Sequence, residues 1–278
     1  AVGVVAGRGG QAGRAGVRGV HARYRADAFR WLRHERSRFM VLMLAPAILI
    51  LFAVTIYPTL VNMYQSLFDY ELTHPDERHF IFLKNYVDLL LHNDRFLNAA
   101  KITFYYVGLV LTAELLLGFG IASILSGMSL GRGLVTTLIV LPMAAAPVAI
   151  TFIWRFMYNP SVGIFGYLLE SVGLPQIQFL SDARWVIPSL AMVDIWQWTP
   201  FMVLILTAGL MSLPQEPFEA ATVDGASKWQ ELWYLGLPMM RPFILVALLF
   251  RGINAFNTSD YIYILTKGGP GTASDTLN

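Results

Sequence analysis

Cysteine is absent from the 278 residues, which excludes a disulfide framework and any thiolate-based metal site. Charge is scarce too: Asp, Glu, Lys and Arg make up 14% of the chain, against roughly 25% in a soluble domain. Hydrophobic residues reach 56%, so an ordinary water-soluble domain is excluded. No G-x-x-x-x-G-K-[ST] phosphate loop occurs, and Leu125-Ser126-Gly127 is only a chance echo of an ATPase signature in a turn. The five histidines, His21, His34, His74, His79 and His92, show no metal-ligand spacing on a helix face. His74 and His79 with Asp76 would make at most a weak surface metal site, and a solvated loop is the better reading. No Ser/His/Asp set falls at membrane depth, so neither catalytic nor metal-binding residues are expected in this chain.

What remains is a series of long uncharged runs separated by short polar ones, as expected when a chain repeatedly crosses a hydrocarbon slab ~30 Å thick. An all-α membrane protein follows, with a basic tail over residues 1–38 and a transmembrane domain over 39–278. Spans are expected at about 39–68, 99–125, 134–158, 185–211 and 242–265. Nine of the 20 basic residues, all Arg, precede position 39, opposed only by Asp27 and Glu35. A basic Gly/Ala-rich segment can bind nucleic acid, but this one has no aromatic interleaving and leads straight into an apolar run. It reads as a cytoplasmic tail, disordered to about residue 22, under the positive-inside rule. The chain is then a multi-pass protein of a bacterial inner membrane with its N-terminus inside. Residues 69–98 carry Asp69, Glu71, Asp76, Glu77, Asp88 and Asp94 and form an outer loop. Asn159–Arg184 is a second outer loop, with a short surface helix near Ile164–Ser171. Five spans would leave the C-terminus outside, and a sixth beyond Asn278 would bring it back.

The polar segment 212–241, between spans four and five, can be parsed locally. Pro214 and Pro217 suit the first turn of a helix, where a missing N–H costs nothing. Phe218–Val223 are good helix formers, and Asp224-Gly225 is a stop. Ser227 followed by Gln230 is a capping box opening a second short helix, expected to end before Pro238. Glu216 and Glu219, with Ala220 and Ala221 permitting close approach, suit insertion into a groove on another protein. The bland alternative is an interfacial linker.

Glu219-Ala220-Ala221, then Asp224-Gly225-Ala226, then Leu237-Pro238 with Pro242 after it, resembles the EAA loop of binding-protein-dependent ABC transporter permeases. Trp196, Pro200, Phe201, Ala208-Gly209-Leu210 and the run Leu265–Pro270 with Thr276 are similar to the sugar and glycerol-phosphate branch. The resemblance covers most of residues 39–278. It implies a bundle of six membrane helices, of which five lie in this chain, and a role for segment 212–241 as the coupling element that docks into a cytoplasmic ATPase. Glu219 would contact that ATPase, and Gly225 would set the elbow. The implied partners are a second homologous permease, two ATPase subunits and an external solute-binding protein. ATP and Mg would sit on the ATPase, with no cofactor in this chain.

An ionisable group at membrane depth costs ~2.5–3.5 kcal/mol on insertion scales, so each is a functional candidate. Arg251 lies in the fifth span, and Asn254, Thr258 and Tyr261 follow at helical spacing on one face, widened by Asn257 and Asp260. Such a face lines a water-filled path or packs inside the bundle. Asp194 stands beside Trp196 and Trp198, a carboxylate-plus-aromatic set suited to holding a sugar; equally, it would pair with Arg251. Glu114 reads as an interhelical hydrogen-bonding group, and Trp154, Trp185 and Trp233 as interfacial belts. An ion-gradient-driven secondary transporter is the alternative function, but no internal repeat is visible and the EAA-like segment would be unexplained.

Overall fold

The computed structural model describes residues 39–69, 79–257 and 260–277. The basic tail, His74, Asp76 and Thr258 lie outside them, as does the side chain of Asp260. The chain divides into two units, Ala1–Asp88 and Leu89–Asn278.

In the first unit, α1 (Phe39–Gln65) is long and apolar enough to cross a membrane and buries none of its residues. A π-helical stretch, Phe52–Ile56, sits just ahead of Pro58. After it, β1 (Phe68–Asp69) pairs antiparallel with β2 (His79–Phe80). Asn85, at the start of α2 (Lys84–His92), donates to the carbonyls of Ser66 and Phe68 at 2.9 and 3.0 Å, and Ser66 and Tyr86 share a 2.6 Å hydrogen bond.

The second unit is a helical bundle. α3 (Asp94–Gly127) starts five residues before the expected span because Asn93 caps it, accepting from the Phe96 amide at 2.9 Å. The third span is not one straight helix. α4 (Arg132–Ala144) and α5 (Pro147–Met157) meet at a bend of 89°. Pro147 has no N–H and pushes Ala146 into an extended conformation, and Ala145 is extended as well. α6 (Ile164–Ser171) coincides with the short helix read from sequence. α7 (Val186–Ser212) is the spine of the unit, packed along α3 and against α4 and α9.

α8 (Glu216–Val223) is followed by α9 (Lys228–Phe256), which corrects two expectations at once. The second short helix does not end before Pro238; it continues through Pro238 and Pro242 as the fifth span. A π-helical stretch, Glu231–Gly236, ends two residues before Pro238 and accommodates the missing donor and the ring. The same pairing of π-turn and proline occurs in α1. At 1.5 Å per residue, α9 is about 43 Å long, more than the ~30 Å core, so its first turns extend beyond the hydrocarbon. The other correction is at the far end: α9 stops at Phe256, and α10 (Asp260–Leu265) is separate.

Two apolar clusters hold the unit together. Tyr106, Val110, Trp154, Leu190 and Ile262 belong to one, and Ala122, Met202, Leu206, Met240 and Ala247 to the other. Where α3 crosses α7, a β-carbon on Gly118 would lie 2.5 Å from the Met202 β-carbon. Only glycine lets the two backbones come so close, the usual solution for helices packed in lipid. Trp154, expected in an interfacial belt, is instead buried against Phe165 and Tyr158, with ring centroids 5.7 and 5.5 Å away.

Candidate functional site

The segment between α7 and the hydrocarbon part of α9 is an elbow built from local hydrogen bonds. Glu216 and Glu219 lie in the first turn of α8, where negative charge complements the helix dipole. The helix ends in a Schellman motif: the Ala226 amide donates to the Ala221 carbonyl at 2.9 Å, and the Gly225 amide to that of Thr222 at 3.1 Å. Gly225 supplies the left-handed residue this ending requires, at φ 80°. Ser227 then caps α9, and the reciprocal bond from its amide to the Gln230 side chain is 2.8 Å. Sequence reasoning missed the brace across the elbow. The buried Glu231 accepts from Thr222 of α8 at 2.9 Å and from Lys228 at 2.8 Å, fixing the angle between the helices. Glu216, Glu219, Ala220, Asp224 and Gly225 are exposed along the outside, while Ala221, Ala226, Leu237 and Pro238 are half-buried. The elbow offers a rigid acidic ridge with small residues beside it.

A second constellation lies inside the bundle. Arg251 donates from Nε and Nη2 to the two carboxylate oxygens of Glu114 at 2.8 and 2.9 Å, and Nη2 also lies 2.8 Å from Asp194 Oδ2. All three side chains are sealed from solvent. The Tyr106 hydroxyl donates to Asp194 at 2.8 Å, Asn254 accepts from Arg251 at 3.1 Å, and the guanidinium sits 5.4 Å from the Trp198 ring centroid. The chain of contacts continues sideways. The Trp198 indole donates to the Tyr261 hydroxyl at 3.1 Å, Tyr261 donates to Gln197, and Gln197 donates to the Ala145 carbonyl at 3.2 Å. That carbonyl is one freed by the break in the third span, so the network satisfies a backbone group that a straight helix would have satisfied itself.

Of the residues read as a path, the structure joins Asp194, Trp198, Arg251, Asn254 and Tyr261 in this network. Between the two roles open to Asp194, the geometry shows the pair with Arg251. Glu114 is the interhelical partner expected of it. Asn257 folds back on the Ile253 carbonyl at 3.1 Å. Because α9 ends at Phe256, the single helical face expected from Arg251 to Tyr261 is broken, and Tyr261 rejoins the network from α10. Trp196 stands apart, 47% exposed and edge-on to Trp154. It borders a groove of about 750 Å³ that is almost wholly apolar, lined by residues such as Leu109, Leu138, Pro142 and Met192. Tyr106 and Gln197 escaped the sequence reading. Tyr106 lies two turns before Glu114 on the same face, which is a legible signal; Gln197 gave none. Among the described residues, no three His, Asp or Glu side chains gather as metal ligands would.

A family model described as the binding-protein-dependent transport system inner membrane component matches residues 114–277. The trehalose transport system permease protein SugA of Mycobacterium tuberculosis is 36% identical over 249 residues, covering 88% of this chain and 78% of the relative. The trehalose/maltose transport system permease protein MalF of Thermococcus litoralis is 31% identical over 247 residues, covering 89% and 83%. Among solved structures, a chain of a bacterial alginate ABC transporter, crystallised with an alginate pentasaccharide-bound periplasmic protein, superposes with a TM-score of 0.72. It is 25% identical and covers 88% of this chain and 81% of that chain.

Proposed function

The chain belongs to the family of inner membrane components of binding-protein-dependent transport systems, and from that premise we propose that it is a permease subunit of an ATP-driven importer. Its solute is a sugar or a related polyol, as the names of the trehalose and maltose permeases suggest. A second, homologous permease completes the path, and two ATPase subunits carry ATP and Mg on the cytoplasmic side, where the N-terminus also lies. An external binding protein delivers the solute, and the alginate transporter, crystallised with its periplasmic protein, supports that partner. No covalent step takes place on this chain.

The braced elbow at residues 216–231 carries the reading. A short acidic helix, locked at a fixed angle to a membrane-crossing rod, converts displacement at a docking surface into tilt of that rod. A flexible linker would absorb the same displacement. The long continuous α9 strengthens this, since it joins the elbow directly to Arg251 and the buried network. ATP-driven closure of the ATPase pair would thus turn the helices outward to receive solute. Co-purification in detergent tests the docking: the ATPase accompanies the wild-type chain, and Glu219→Lys or Gly225→Pro abolishes both association and uptake. Undiminished association in both variants would refute the role given to the elbow.

A further inference from the structure

At the end of the bundle where α7 begins, opposite the elbow, lies a polar cavity of about 380 Å³. Its wall includes Arg155 of α5, Asn159, Gln178, Phe179 and Ser181 of the following loop, and Thr266 after α10. The floor is aromatic and rigid. Tyr158 and Phe179 have ring centroids 5.0 Å apart, Phe165 packs against both, and Phe165 stacks on Trp154. The Tyr158 hydroxyl donates to the Ser189 carbonyl at 2.8 Å, and its buried ring backs Phe179. Among the described residues Arg155 donates once, to the Ile264 carbonyl at 3.3 Å, and has five N–H donors in all. The side chains of Gln178 and Ser181 make no hydrogen bond among the described residues. Among the described residues no carboxylate lines the cavity.

We propose that this cavity is a subsite for a single sugar unit at the outer mouth, separate from the buried network. Phe179 offers a face to the ring's C–H side, Gln178, Asn159 and Ser181 address hydroxyls, and Arg155 selects for an acidic substituent. The volume falls within the ~300–1,000 Å³ of small-molecule sites, and the combination of an apolar floor with a few convergent polar groups is their usual chemistry. The large groove at Trp196 has no comparable polar set. The inference rests on the import reading for the identity of the solute and adds the place where it is first held.

The natural lack of cysteine makes the test direct. Ser181→Cys, in the assembled transporter in proteoliposomes, is labelled with a membrane-impermeant maleimide in the presence of trehalose or D-glucuronate. At ten times the dissociation constant, either sugar slows labelling about ten-fold. Arg155→Gln weakens protection by glucuronate more than by trehalose, and Gln178→Ala weakens both. All three positions are exposed, so the variants fold. Labelling that neither sugar slows, that the binding protein alone slows, or that remains protected in the Arg155→Gln/Gln178→Ala double variant would overturn the proposal. Labelling needs no ATP turnover. Protection without uptake therefore faults the import reading, and uptake without protection faults this site.

Discussion

Removing Arg251 leaves the Glu114 and Asp194 carboxylates, both sealed from solvent, without the cation that bridges them. Breaking a buried ion pair from one side typically costs 3–5 kcal/mol, because the remaining charge is stranded. Arg251→Met keeps most of the volume, so the loss is electrostatic rather than a cavity effect. Taking about 4 kcal/mol, the folding equilibrium falls roughly a thousand-fold. Neutralising all three, as Glu114→Gln, Asp194→Asn and Arg251→Met together, removes the stranded charges and should recover most of the loss. Thermal unfolding in detergent, followed by the monodisperse fraction, measures both. The reasoning fails if Arg251→Met unfolds with the wild type, or if the triple variant is less stable than the single one.

Three further outcomes are expected. Gly118→Val forces α3 and α7 apart where a β-carbon would meet Met202 at 2.5 Å; the cost is about 1–3 kcal/mol in the same assay, and an unchanged midpoint would refute the close crossing. Ser227→Ala removes the cap of α9, worth about 1 kcal/mol, and hydrogen exchange at the amides of 228–231 rises about five-fold if the cap is what holds the elbow. Gln197→Leu frees the Ala145 carbonyl. Maleimide labelling of Ala146→Cys, again in the natural cysteine-free background, then speeds up about five-fold, and an unaltered rate would show that Gln197 does not secure the break.

The spans were legible because long apolar runs broken by at most two charges have few soluble explanations. The turn of the elbow was legible, because Gly225 and the Ser227–Gln230 pair act through bonds to their own neighbours, whereas the Glu231 brace joins two helices and was not. What composition concealed depends on partners distant in sequence. Whether Pro238 ends a helix or is absorbed by a π-turn is decided by the membrane-crossing rod beyond it. Pro147, equally plain in sequence, breaks the third span, and Gln197, fifty residues on, donates to the Ala145 carbonyl that the break frees. Arg251 and Asp194 were visible as costly charges, but their shared geometry with Glu114 and Tyr106 is a property of three packed helices.

Uptake of a labelled sugar into proteoliposomes holding this chain with its second permease, ATPases and binding protein separates ATP-driven import from ion-driven transport. Transport should require ATP and the binding protein, survive ionophores, and disappear with Glu219→Lys. Transport that persists without ATP and collapses with the ion gradient would contradict ATP-driven import.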